Sequence, residues 1–437
     1  MVYVAILIVV PNLFLFFFYF NEKMGRTSRI RKLRVGSQHF RPLVIDSNPE
    51  FVELCKWMSA NGWNGASKDC LKTKPAVFSD TGRGLMAMSN LAPNSLIVRI
   101  PKNLLITKEK VILQIPALRN FKMTTAECLT FFILISKING LYSSYLSTLP
   151  KSFSVGGLCE SQEVAVLPKV LQDKILCNQS YVLEKYQNLV VIWENLFGPT
   201  LTLECFQWAW YCVNTRAVFY QDSDIFNMDG LENNMALAPY LDMFNHDPHV
   251  VVKAGFNKNS QYYEIRSSQK IKKHQQVFIN YGPHDNQKLF LEYGFITPKN
   301  PHNVVEFGIN LLFDLFPVNS LCFVPNRIAL LKQLCKNGNL FYSEEGFSWN
   351  AQIALMLLSC EDSQLSRKGF SPLEIIPDKD QIKLLGKKIV DALFLEFTES
   401  LNKMSLVSSS TTSSFWVAKS LVKDILNVLN ACVLDAE

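Results

Sequence analysis

At 437 residues the chain can hold two or three domains, and 48% hydrophobic residues supply sizeable cores. The net charge is +6, and beyond residue 50 Lys and Arg are interspersed with Asp and Glu. It forms no basic stripe, which argues against a dedicated nucleic-acid binder. The eleven cysteines include no C-x-x-C pair. Their scatter through apolar segments (Cys128, Cys205, Cys212, Cys335, Cys360) reads as free, mostly buried thiols of a reducing compartment.

Residues 2–20 form an uncharged run near the ~20 residues that span a bilayer, without the positive leader and cleavage site of a secretory signal. Positive charge follows it, at Lys23, Arg26, Arg29, Arg31, Lys32 and Arg34. Two readings stand: an anchor that leaves the rest of the chain cytoplasmic, or an extension upstream of a start at Met24. From Met24 the chain opens with a basic tail, either a nuclear address or a solvated arm.

Phe51, Leu54, Cys55 and Met58 recur at helical spacing and predict a short amphipathic helix within 47–75. From 76 to 107 short β-forming runs alternate with Gly, Asn and Pro. From about 108 to 218 the pattern is helical, with helices expected over Thr125–Ile138, Tyr181–Phe197 and Leu203–Val218. Val250–Phe256 and Tyr262–Ile265 flank the turn Asn257–Ser260 as a hairpin. Beyond about 305 the pattern is again helical, with a Ser/Thr-rich linker at Ser408–Ser414.

Two stretches organise the rest. Leu237–His246 is an apolar run that ends in Asp242, Asn245 and His246. Val277–Phe295 leaves an apolar strand, turns at Gly282-Pro283 and returns to Tyr293-Gly294-Phe295. So many donors and acceptors beside apolar runs need partners or a ligand. Thr81-Gly82-Arg83-Gly84-Leu85 sets two glycines astride one residue; an ordinary turn explains it, and no Rossmann or P-loop pattern accompanies it. Arg216 ends an apolar helix, where it serves either the helix dipole or a buried carboxylate. His246, His249, His284 and Asp285 match no zinc spacing, so no metal is expected. Tyr281, Tyr293 and Phe295 are core aromatics or the walls of a narrow channel for an extended cation.

In order, GRGL (82–85), TRAV (215–218), LDMFNH (241–246), INYG (279–282) and EYGF (292–295) resemble the motifs of SET-domain methyltransferases. The branch is the one typified by the Rubisco large-subunit lysine methyltransferase, and the similarity covers about residues 25–430. The resemblance implies an α+β chain: a β-rich SET fold split by a helical insert, then an all-α C-terminal substrate-binding domain. The implied segments are a basic tail at 24–46 after the hydrophobic 1–23, SET parts at 47–107 and 219–300, the insert at 108–218, and the helical domain at 305–437.

It further implies S-adenosylmethionine as cofactor, contacted by Thr81, Gly82, Arg83 and Gly84, by Arg216 at its carboxylate, and by Asn245 and His246 at its amino group and adenine. Tyr281 would be the catalytic tyrosine, with Asp242, Tyr293 and Phe295 around the acceptor lysine of a protein substrate. Related actin-histidine methyltransferases carry Trp and Asn where this chain has Leu241 and Val218, which points to lysine as acceptor. The chain is expected to be a monomer in cytoplasm and nucleus, with no direct nucleic-acid binding and with membrane contact only through residues 2–20. Competing readings are an idle SET scaffold that binds a lysine-bearing partner, and a membrane-tethered interaction protein.

Overall fold

The β-forming runs at 73–101 fold as β2 (Thr73–Phe78), β3 (Gly82–Ala87) and β4 (Leu96–Pro101), after a first strand β1 (Pro42–Ile45). The computed structural model describes residues 42–45, 48–64, 72–198, 200–221, 234–316, 325–359, 379–407 and 411–434. The hydrophobic run 2–20, residues 24–41 of the basic tail, Cys360 and the linker residues 408–410 lie outside them. Among the described residues no helix is long and apolar enough to cross a membrane.

Between β1 and β2 the predicted amphipathic helix spans Pro49–Ala60. Asn48 caps it by accepting from Glu50 N at 3.1 Å, and it buries Phe51, Leu54 and Met58. The helical region that follows is built on Thr125–Asn139, which starts with a capping box between Thr124 and Glu127 and ends at the left-handed Gly140. This helix is buried almost all round, as expected of a core helix rather than a surface one.

Lys169–Phe197 is a single helix, about 44 Å long at the usual rise per residue. Its Leu171 and Ile175 pack into an apolar cluster shared with the C-terminal helices. Its Val182, Leu189 and Trp193 pack into the cluster that contains the first strands. One helix therefore ties the two cores together.

The helix Leu203–Arg216 stops two residues before its predicted end. Ala217 turns extended and opens β5 (Ala217–Phe219), whose backbone pairs antiparallel with β6 (Met235–Leu237). A ladder of backbone hydrogen bonds thus outbids one more half-turn of helix and leaves Arg216 as the last helical residue. Cys205 near the start of this helix is exposed, against the expected burial, whereas Cys128 and Cys212 are buried as expected. Cys205 lies on the first turn, away from the buried face that carries Phe206, Ala209 and Trp210.

The short β7 (Asn245–His246) follows, then the predicted hairpin β8 (Val252–Asn257) and β9 (Tyr262–Ser267), and β10 (Gln276–Ile279). Two sheets result, in the order β1-β2-β3-β10-β7 and β4-β9-β8. The pairing of β10 with β7 is parallel, Phe278 opposite Asn245 and Ile279 opposite His246.

Beyond 305 the chain is helical, at Ile309–Leu315, Pro325–Asn337, Trp349–Ser359, Lys379–Leu406 and Ser413–Leu434. Added to the expected helices is a small sheet of β11 (Val305–Phe307), β12 (Leu340–Ser343) and β13 (Gly346–Phe347). Its hairpin turns through Gly346 at φ +105°, a conformation that side chains disfavour.

Candidate active site

Tyr240 adopts φ +73° and turns the chain into a one-turn 3₁₀ helix, Leu241–Met243, which points Asp242 into the interior. Asn245 and His246 follow as β7, next to β10. The turn after β10 is held by its own amide: Asn280 Nδ2 donates to Pro248 O at 3.1 Å, and Gly282 N donates to Asn280 Oδ1 at 2.8 Å. Gly282 has φ +135°, and a Cβ there would lie 2.9 Å from the His284 ring. Both stretches singled out in the sequence therefore meet side by side, and Tyr281 emerges where they meet.

Tyr281 joins the two stretches twice. Its backbone N donates to His246 Nδ1 at 3.0 Å, and its hydroxyl donates to Phe244 O at 2.6 Å. Burial pushes the hydroxyl up to about 12, so it remains protonated at neutral pH. Burial also lowers the His246 imidazole to about 4. A neutral ring that accepts at Nδ1 carries its proton on Nε2, and that buried Nε2 has no hydrogen-bond partner among the described residues.

Thr81 ends the β2–β3 turn and Gly82-Arg83-Gly84 opens β3, with Phe78 opposite Gly82 and Ala76 opposite Gly84. The G-x-G is therefore the start of a strand and not the expected turn, with Gly82 at φ +66° where the hairpin closes. Asn245 Nδ2 donates to Arg83 O at 2.9 Å, and Thr81 Oγ1 donates to Gln276 Oε1 at 2.8 Å. A Cβ on Gly84 would sit 2.5 Å from Gln276 Nε2 and 2.8 Å from Asn245 Nδ2. Gly84→Ala is therefore expected to displace both amides and break the Asn245–Arg83 link. If this hairpin forms part of a ligand cradle, calorimetry should show binding weakened by about tenfold, the scale of one lost hydrogen bond.

Arg216 reaches from its helix end to donate through Nη1 to Asp242 O at 2.5 Å. Its Nε is buried with no hydrogen-bond partner among the described residues, so half of its fork is uncommitted. The Asp242 carboxylate accepts at Oδ2 from Tyr145 OH at 3.0 Å, while its buried Oδ1 has no such partner. Burial raises this carboxyl to about 6, although Arg216 and the Tyr145 hydrogen bond pull it down.

The aromatic residues form a continuous wall. Ring centroids of Tyr281 and Tyr293 are 5.2 Å apart, Tyr281 and Phe295 6.3 Å, and Tyr293 and Phe295 6.2 Å. His246 lies 5.1 Å from Tyr281, and His284 stacks on Tyr293 at 6.1 Å. Gly294, at φ +80°, lets this wall close on the backbone of Ser154 and Val155, 2.8–2.9 Å from where a Cβ would be.

An amide network ties the wall to the last helix. Asp424 accepts from Asn286 Nδ2 at 2.7 Å and from Asn303 Nδ2 at 2.6 Å, and Asn286 also accepts from Thr297 N at 2.9 Å. Removing Asp424 takes a carboxylate acceptor from the buried Asn286, which keeps Thr297 O, and from the partly buried Asn303, so Asp424→Ala should cost about 2 kcal/mol of stability. Chemical denaturation at fixed pH measures it directly.

Every residue proposed from the sequence for this site belongs to one connected set, from the hairpin tip through Asn245, Asp242, Arg216 and Tyr281 to Tyr293 and Phe295. His249 is exposed, and Asp285 Oδ1 caps a helical turn by accepting from Lys288 N at 2.8 Å. Among the described residues no group of three or more His, Cys, Asp or Glu side chains is placed to hold a metal. Tyr145, Gln276 and Asp424 complete the site without a motif that announces them, and His284 joins it as a ring stacked on Tyr293 and not as a metal ligand candidate.

The hairpin tip, the paired strands and the tyrosine between them define the chain as a SET-domain methyltransferase, and the SET domain family matches residues 82–282. The solved structure of the SET domain of LSMT bound to lysine and AdoHcy shares the fold, with a TM-score of 0.58, 18% identity, and coverage of 88% of this chain and 90% of that one. The SET domain-containing protein 4 of Mus musculus is 33% identical over 410 residues, 90% of this chain and 92% of that protein. The chain belongs to the SET domain-containing protein 4 family. It is also 28% identical over 244 residues to the ribosomal lysine N-methyltransferase set11 of Schizosaccharomyces pombe, covering 55% of this chain and 60% of that protein.

Proposed function

We propose that this protein is an S-adenosylmethionine-dependent protein-lysine N-methyltransferase that acts on a lysine in a tail or loop of a protein substrate. The observation that carries the reading is the Tyr281 hydroxyl, held on Phe244 O at 2.6 Å between the Arg216–Asp242–Asn245 cluster and the wall of Tyr293 and Phe295. One side offers polar groups to a charged cofactor, and the other offers apolar rings to a lysine stem.

The residues present fit that cofactor. The uncommitted Arg216 Nε suits a carboxylate, and the His246 Nε2 proton suits an acceptor nitrogen of a purine. Gly84 and Asn245 keep the hairpin tip close enough for its backbone to line the same cradle. When bound, the cofactor supplies a methyl group activated by a sulfonium. No proton is exchanged in that displacement, so the acceptor amine must arrive neutral.

A lysine ammonium has a reference pKa of ~10.4, and two features of the site lower it. The aromatic wall removes water, and a cationic cofactor repels a second positive charge. Tyr281 remains a hydroxyl and so acts by orientation, not as a base. It donates to Phe244 O and offers its lone pairs to an amine N–H. Alignment of the reacting atoms can contribute ~7–11 kcal/mol.

Lysine rather than histidine is the acceptor class supported by residues 218 and 241. Val218 lies in the β5–β6 ladder opposite Ala236, and Leu241 is buried, so neither position offers a polar contact to an imidazole. The test is incubation of the full-length protein with labelled S-adenosylmethionine and fractionated cell proteins. Label should appear on lysine in acid hydrolysates and should be lost with Tyr281→Phe. Label on histidine, or cofactor binding with no transfer to any fraction, would sink the reading.

A further inference from the structure

Tyr145 lies in the helical insert, 97 residues before Asp242, yet its hydroxyl is committed to the Asp242 carboxylate. The ring is fully buried, and the same turn touches the hairpin tip: Thr148 Oγ1 donates to Tyr145 O at 2.7 Å, and Thr148 O accepts from Arg83 Nη1 at 3.4 Å. Asp242 itself is anchored at its carbonyl by Arg216 and at Oδ2 by Tyr145. Its second carboxylate oxygen, Oδ1, is buried without a hydrogen-bond partner among the described residues. A buried carboxylate with one oxygen uncommitted is costly unless a ligand N–H completes it.

We propose that Tyr145 is a positioning residue which, by holding Asp242 Oδ2, presents Asp242 Oδ1 as the acceptor for an ammonium or amine N–H of the bound ligands. The inference rests on the methyltransferase reading and deepens it, since it makes the insert a working part of the site. That N–H has two sources, the α-ammonium of the cofactor and the amine of the acceptor lysine.

The arrangement has a pH signature. The groups that face Asp242 are Arg216 and Cys212 from the Leu203–Arg216 helix, Tyr145 from the insert and Tyr281 from the turn after β10. Burial pushes the Cys212 thiol and both tyrosines up, so they stay protonated near neutrality. Asp242, raised to about 6, is the member of this group that changes charge in the working range. Its acceptor form prevails above that pH and is lost as pH falls through it. Removing the Tyr145 hydroxyl removes a bond that favours the ionised form, so the midpoint must rise.

The experiment compares the full-length wild type with Tyr145→Phe, Asp242→Asn and the double variant between pH 5 and 8. Calorimetry gives the Kd for S-adenosylmethionine without acceptor, and initial rates of label transfer to a fixed cell extract, with acceptor limiting, report the amine side. Rates are compared as pH profiles on one axis, because ionisation of the acceptor lysine adds the same slope to every variant.

In the wild type the Kd should rise tenfold per pH unit below about 6 if Oδ1 seats the cofactor ammonium. If the Kd is flat and only the rate profile bends, Oδ1 seats the acceptor amine. In either arm Tyr145→Phe should move the bend up by about one pH unit, the scale of one hydrogen bond to a charged group. Asp242→Asn should abolish the bend and leave Tyr145→Phe without further effect.

A bend that stays in place in Tyr145→Phe overturns the proposal, as does a Tyr145→Phe loss undiminished in the Asp242→Asn background. Loss of cooperative unfolding in Tyr145→Phe would shift judgement to Asp242→Asn, whose retained bend overturns it equally. A wild type that neither binds S-adenosylmethionine nor transfers label refutes the enzyme reading, an outcome distinct from all of these.

Discussion

Tyr281→Phe is expected to lower the methylation turnover number by about a hundredfold or more, with little change in the Kd for S-adenosylmethionine. The substitution keeps the ring that packs 5.2 Å from Tyr293 and 5.1 Å from His246. The Tyr281 backbone N that donates to His246 Nδ1 is also untouched, so the cofactor side of the site stays in place. What disappears is one hydroxyl, and with it the group that both satisfies Phe244 O and orients the incoming amine. A loss confined to turnover, measured by single-turnover transfer alongside calorimetry, identifies a group whose interactions strengthen in the transition state. Full turnover in Tyr281→Phe would mean that the amine is aligned by something else.

The second large effect is expected on binding. Arg216→Ala should weaken S-adenosylmethionine by about 30- to 100-fold, roughly 2–3 kcal/mol, because a buried carboxylate would lose a charge-assisted partner. The same change removes the donor to Asp242 O, so some of the loss will come from a looser Leu241–Met243 turn. Arg216→Lys separates the two contributions. Lysine restores charge but cannot serve Asp242 O and a carboxylate in one plane, so its Kd should fall between wild type and alanine. An unchanged Kd in both variants would remove Arg216 from the cofactor site.

The two effects are separable because they act through different links of one chain of contacts. Arg216 reaches Asp242, and Tyr281 reaches Phe244, two residues further along the same strand-like segment. That closeness also explains why the helix had to end where it does. Were Leu203–Arg216 continued to Val218, the β5–β6 ladder could not form, and residues 235–246 would lose the pairing that leads into the site.

By itself the sequence determined the chemistry of the site and most of its local framework. Apolar spacing at Phe51, Leu54 and Met58 dictates one helix face, the Thr124–Glu127 pair starts another helix, and Gly82 permits the hairpin turn at φ +66°. These are short-range effects, set by neighbours three or four residues apart, so they are legible one residue at a time. The ordered motifs from residue 82 to 295 likewise name Arg216, Asn245 and Tyr281 as the residues to watch.

Only the tertiary structure decided which partners those residues meet. Tyr145 finds Asp242, Gln276 finds Thr81, and Asp424 finds Asn286 and Asn303 across separations from 97 to 195 residues. No periodicity encodes such pairs, because a buried hydrogen bond is specified by where two backbones end up and not by the residues beside either one. The end of the helix at Arg216 and the exposure of Cys205 belong to the same class, settled by a strand partner and a packing face that form when the chain closes.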